Sequence, residues 1–400
     1  MSTENSLESL RSAEYQQRQV VNQLRRDVFS QADPAASEEK MAALQAAEAQ
    51  LIDLEQKVAE AEGRGPRRSG VLGAESTGLV ASIALRMAQV PTSIYHLLDP
   101  TKNPLLTCTV KNASGEIRRV RVISYIEGYT ARSVDSAELD PGVEESFDML
   151  PTIFPESVKN LTELSRATLN VLIQDLDTDK VEIHRTYPVW MLAHSTAPLA
   201  IRDPKSGGWT DMTPYLGAFV TPNAPDVMNF LHEAIKFHPE KRFIGYQVDA
   251  KQVEPQMHAL FDALKDHDIH YVNSVIDFSP DTGSANQRVR LPRESLANRS
   301  ANCIDGTVLF ASLLEAISLS PAIVIVPGHA FLAWESWSGG TNDWKFLETT
   351  MVGSADYPAA AASADKTAQH YQELAKKDPS RFRLHPLRVL RAQYGITPME

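Results

Sequence analysis

The chain has 400 residues, of which 43% are hydrophobic and 22% charged, and its formal net charge is -12. That length exceeds what one ordinary core serves, so two or three domains are expected, and the composition is that of a folded globular protein. The acidic balance argues against a nucleic-acid binder, because phosphate recognition needs a net basic face.

Only two cysteines occur, Cys108 and Cys303, so no disulfide framework is expected and a reducing cytoplasm fits. The N-terminus lacks the basic and apolar regions of a secretory signal. No stretch of about 18 apolar residues runs without charge, so no membrane-spanning helix is expected. The expected location is cytoplasmic, with neither membrane nor nucleic acid as partner.

Residues 5–63 read as helix, interrupted at Asp33-Pro34, with Ser37 placed to cap the second half. Leu44, Leu51 and Val58 recur at sevens. This spacing predicts a helical hairpin or a dimerising coiled coil over residues 1–63. Such an arm would bind a partner, self-associate, or pack on its own body. Residues 64–73, rich in Gly, Pro and Arg, read as a linker.

Over residues 74–195 the period changes to two. Segments 105–110, 118–125, 168–175 and 181–187 alternate or run apolar, with turn signals at 112–115, 140–142 and 175–179. Short strands at this spacing predict an immunoglobulin-like β-sandwich. Cys108 falls inside a strand and reads as a small buried residue.

Residues 196–400 read as an α+β domain. Helical spacing covers 226–237 and 253–264, followed by an extended segment at 269–278. Then come an apolar helix at 304–317, an apolar strand at 321–327, and a strand pair at 331–337 and 344–347. A polar helix at 366–377 and a segment at 384–393 close the chain. No internal repeat is visible.

The chemistry concentrates in this last region. Asn302-Cys303-Ile304-Asp305-Gly306 directly precedes an apolar helix. The unpaired amides and dipole at a helix N-terminus favour a thiolate and supply donors for an oxyanion. The apolar strand 322–326 leads into Pro327-Gly328-His329-Ala330, and a Gly-His-Ala step at a strand head puts an imidazole where backbone can approach. Trp344-Lys345-Phe346-Leu347-Glu348-Thr349-Thr350 is a short strand with a carboxylate at its end. The remaining histidines, including His267 with His270 and His232 with His238, lack the convergent partners of a metal site. No Gly-rich phosphate loop appears. No metal and no cofactor are expected.

These three motifs, Cys303-Ile304-Asp305, His329-Ala330 and Glu348-Thr349-Thr350, resemble the transglutaminase-like branch of the papain-type cysteine enzymes. The resemblance covers roughly residues 220–355. It implies a nucleophile at Cys303, its base at His329 and an orienting carboxylate at Glu348, where the family usually has Asp. Asp343 is the nearby alternative carboxylate. The resemblance also implies a second oxyanion donor at Gln287, upstream of the nucleophile, and leaves Asp305 a structural role at the helix start. Trp334, Trp337 and Trp344 could wall a groove or pack in the core.

The implied activity is cysteine-dependent acyl transfer on peptide or glutamine amides, leaning toward hydrolysis (protease, isopeptidase or deamidase) over cross-linking, with a protein or peptide as substrate. A non-catalytic interaction protein with a degenerate transglutaminase-like domain is the alternative. By analogy alone, such modules also suggest bacterial proteins associated with phage defence.

Overall fold

A computed structural model of the chain describes residues 2–29, 43, 46–47, 50–51, 54, 78–202, 208–272, 284–338, 340 and 342–399. The fold mixes helices with several separate sheets. Two compact units emerge: Pro66–Met212 with Asp277–Gln287, and Met1–Gly65 with Thr213–Ile276 and Arg288–Glu400.

At the N-terminus α1 (Ser2–Phe29) is one continuous helix of 28 residues. The described positions of the second expected helix, 43, 46, 47, 50, 51 and 54, are all helical. Val21, Ala47 and Leu51 bury together, with Leu24 packed against them. Gln17 donates to the Ala47 carbonyl at 2.9 Å and to Gln50 at 3.1 Å. The two segments therefore pack on each other within one chain. The expected break at 33–37 and the linker at 64–73 lie outside the described residues.

In the first unit, β1 (Leu79–Leu85), β3 (Leu106–Asn112) and β6 (Glu144–Met149) form an antiparallel sheet in the order β1-β3-β6. A larger sheet has the order β2-β8-β7-β4-β5, from β2 (Gln89–Val90), β4 (Arg118–Ile126), β5 (Ser133–Leu139), β7 (Ser165–Asp175) and β8 (Lys180–Met191). A single short turn of helix, α2 (Pro155–Val158), precedes β7. The alternation seen in the sequence is one of burial: Leu106, Cys108 and Val110 on β3, and Leu169, Val171 and Ile173 on β7, are fully buried. Residues between them on β3 face outward, as a pleated strand with one covered face requires. All three expected turns join consecutive strands. The unit extends beyond residue 195, because β9 (Thr196–Arg202) lies between β10 (Trp209–Asp211) and β12 (Ser284–Arg288). Pairing with a strand that begins only at Ser284 is not visible in local periodicity.

The second unit contains α3 (Pro225–Ala234), α4 (Val253–Asp266), α5 (Pro292–Asn298) and α6 (Cys303–Ala316). Its main sheet has the order β16-β15-β14-β17, all antiparallel, from β14 (Pro321–Val326), β15 (His329–Glu335), β16 (Trp344–Leu347) and β17 (Arg383–Pro386). Helix α7 (Tyr357–Ala375) lays Ala364, Ala368 and Tyr371 on Val324, Phe331 and Phe346. It begins well before the expected residue 366, since its first two turns are alanine-rich and show little periodicity. Helix α8 (Leu387–Tyr394) follows β17 and buries Leu387 and Leu390.

Helix α6 packs on β14 and β15 and also on α3 and α5. Residues 304–314 are buried without exception, which is why this helix reads as apolar all round rather than amphipathic. Its first turn meets the turn that follows β16. A methyl group at Gly306 would come within 2.8 Å of Thr349 Oγ1 and 3.1 Å of Thr349 Cβ. The absence of a side chain at 306 thus sets the distance between α6 and the segment carrying Glu348. We expect Gly306→Ala to cost about 1–3 kcal/mol by overpacking, and to displace Thr349 and Glu348. Chemical denaturation should show the loss; an unchanged midpoint would mean the turn yields freely.

Candidate active site

Three elements of the second unit converge, and each is built locally. At the start of α6, Asn302 is the N-cap: its Oδ1 accepts from the Asp305 backbone N–H at 2.8 Å, and Asp305 Oδ2 accepts from the Asn302 N–H at 3.1 Å. This reciprocal cap satisfies donors that a helix start leaves unpaired. The same carboxylate, fully buried, accepts from the Arg290 backbone at 2.8 Å and from its guanidinium at 2.9 Å. Asp305 is therefore an anchor of the helix start, as its spacing from Cys303 suggested. Burial pushes its carboxyl above the usual range, and the bonds from Arg290 and Asn302 resist that rise. The Cys303 carbonyl accepts from Thr307 Oγ1 at 2.7 Å and from Thr349 Oγ1 at 3.4 Å. Cys303 is partly exposed, whereas Cys108 is fully buried and its thiol is pushed up to about 12 by burial.

The imidazole arrives on a hairpin. Val326 pairs with His329 across the two-residue turn Pro327-Gly328, in which Gly328 has φ +72°. Proline fixes a negative φ at the first turn position and glycine accepts the positive φ at the second. His329 is thereby the first residue of β15, with its ring stacked on Phe331 at a centroid separation of 6.0 Å.

The carboxylate arrives on the neighbouring strand. Leu332 pairs with Leu347, so extending the register by one residue sets Glu348 opposite Phe331. His329, two residues before Phe331, is then its diagonal neighbour on the same face. Diagonal neighbours lie about 7–8 Å apart, a span that suits the longer arm of glutamate. The contact made is His329 Nε2 to Glu348 Oε2 at 2.7 Å. The other oxygen, Oε1, accepts from the Thr350 N–H at 3.1 Å and the Thr350 hydroxyl at 2.6 Å. Glu348 is buried, 6% exposed, with no bare oxygen.

The Cys303 sulfur is near enough to act electrostatically on the same imidazole. Burial works to lower His329; the Glu348 carboxylate and the sulfur outweigh it and hold the ring well above its ordinary value. Burial works to raise Glu348, but the imidazolium and the two Thr350 donors hold it below its ordinary value. The arrangement can hold a proton on the ring beside a sulfur nucleophile.

The other residues singled out by sequence have the following places. Gln287 lies on β12 and belongs to the other compact unit. Asp343 accepts from the Ser336 hydroxyl at 2.5 Å, between β15 and β16 and at the far end of β15 from His329. Trp334 is in the core, Trp344 packs against the cluster beneath α7, and Trp337 meets Tyr246 edge-on. Among the described residues no group of His, Cys, Asp or Glu could hold a metal ion, and no helix is long and apolar enough to cross a membrane. Tyr271 went unnoticed in the sequence, although the charges of Cys303, Glu348 and Asp305 all act on its phenol. Its place depends on a parallel pairing of β11 (His270–Tyr271) with β13 (Ser300–Ala301), which no local pattern announces.

No protein-family model and no curated protein matches the chain. Solved structures with detectable likeness include a FixG-related protein from Vibrio parahaemolyticus, 10% identical, covering 29% of this chain and 96% of that one, at a TM-score of 0.18. Another is native alpha-2-macroglobulin from Escherichia coli, spanning domain MG7 to the C-terminus. It is 12% identical and covers 62% of this chain and 39% of that one, at a TM-score of 0.21. Likenesses this slight carry no argument about fold or function.

Proposed function

We propose that this chain is a cysteine-dependent acyl-transfer enzyme acting on peptide or glutamine amides, with Cys303 as nucleophile, His329 as base and acid, and Glu348 as the group that orients the histidine. The observation that carries the reading is the 2.7 Å contact of His329 with buried Glu348, on a ring that the Cys303 sulfur also influences electrostatically. The reading includes a transglutaminase-like domain in the second unit, an immunoglobulin-like sandwich in the first, and an N-terminal arm available for self-association.

The steps follow from the residues. Sulfur attacks the amide carbonyl carbon, and the carbonyl electrons move to oxygen. As the tetrahedral species collapses, the C–N bond breaks and the His329 proton goes to the leaving nitrogen. Water, deprotonated by His329, then attacks the thioester and releases the carboxylic acid and the thiol. A second amine in place of water would give transfer; hydrolysis is the reading adopted.

Two measurements test the assignment. Iodoacetamide should alkylate Cys303 far faster than buried Cys108, and His329→Ala should slow the Cys303 reaction by about 10²-fold. Equal, slow labelling of both thiols would instead favour a binding protein. The second concerns pH. The raised His329 value means that its pairing with Glu348 adds stability fully present below the ordinary histidine value and lost as pH rises through the raised one. The stability gap between the unaltered protein and Glu348→Gln should therefore narrow with rising pH in denaturation curves. A gap independent of pH would contradict an imidazolium at 329.

A further inference from the structure

The extended segment ahead of the nucleophile brings Tyr271 to the helix start that carries Cys303. β11 runs parallel to β13 with Tyr271 opposite Ala301, and the Val272 N–H donates to the Ala301 carbonyl at 3.0 Å. Ala301 is two residues before Cys303, so this register delivers Tyr271 to the N-terminal end of α6. On its other side β11 adjoins the turn Thr349–Met351, directly after Glu348. Gly353 makes that approach close: a methyl group there would come within 3.0 Å of the Ile269 carbonyl.

Tyr271 is 43% exposed. Among the described residues its hydroxyl has no hydrogen-bond partner. Burial first, then the charges of Cys303, Glu348 and Asp305, push the phenol up to about 12, so it is a protonated donor at neutral pH. The Tyr271 residue and the Cys303 backbone N–H, which has no acceptor within its own helix, stand at the same end of α6.

We propose that Tyr271 supplies the second hydrogen bond to the oxyanion, in the role that the sequence had suggested for Gln287. The inference rests on the acyl-transfer reading above. When the sulfur adds to the carbonyl carbon, the negative oxygen accepts from the Tyr271 hydroxyl and the Cys303 N–H. No proton leaves the phenol; the two bonds release the oxygen when the C=O re-forms and the leaving group departs. Such donors act where charge develops, so they accelerate carbonyl chemistry and not displacement at carbon.

That difference gives the test. On the full chain, two rates are measured for the unaltered protein and for Tyr271→Phe, which keeps the ring. One is acylation of Cys303 by p-nitrophenyl acetate, read as the burst of p-nitrophenolate; the other is alkylation of Cys303 by iodoacetamide, which forms no oxyanion. The expected result is acylation slowed by about 10²-fold with alkylation unchanged. Both rates unchanged, or both falling together, would overturn the role. If Cys303 of the unaltered protein reacts no faster than Cys108 with either reagent, the acyl-transfer reading fails, and this inference with it.

Discussion

A buried carboxylate that could not find a cation would be costly, and the site is organised around avoiding that cost. Glu348 sits at the end of an apolar strand, 6% exposed, with one oxygen on His329 and the other on Thr350. Removing one member of a buried pair leaves an uncompensated charge, a loss of about 3–5 kcal/mol. The pair therefore constrains the ring, because its Nε2 is committed to Glu348. Glutamate has the reach to bridge the diagonal cross-strand span to His329.

The rest of the second unit holds this geometry. The reciprocal Asn302–Asp305 cap and the Arg290 anchor fix where α6 begins, and hence where Cys303 sits. The side-chain-free surface at Gly306 lets the Thr349 turn close on that helix. The Pro327-Gly328 turn sets His329 at the head of its strand. None of these residues carries chemistry. Each converts a local sequence preference into the relative placement of Cys303, His329 and Glu348.

Much of the site was legible because its signals are local. A capping residue before an apolar helix marks Cys303. A Pro-Gly turn after an apolar strand marks His329, and the end of a short aromatic-led strand marks Glu348. What escaped reading depends on long-range pairing. Tyr271 is placed by a parallel contact with residues 300–301, and β12 returns to a sheet begun at residue 196. That return also moves the division between units away from residue 195. Helix α7 started earlier than expected because an alanine-rich stretch has helix propensity without periodicity.

The central claim is spatial: one imidazole lies between the Cys303 sulfur and the Glu348 carboxylate. A crystal structure of the chain with an occupied, ordered His329 ring measures this directly. The account predicts Nε2 on Glu348 and the opposite nitrogen within hydrogen-bond reach of Cys303 Sγ. A ring turned away from the sulfur, or Glu348 paired elsewhere, would contradict it.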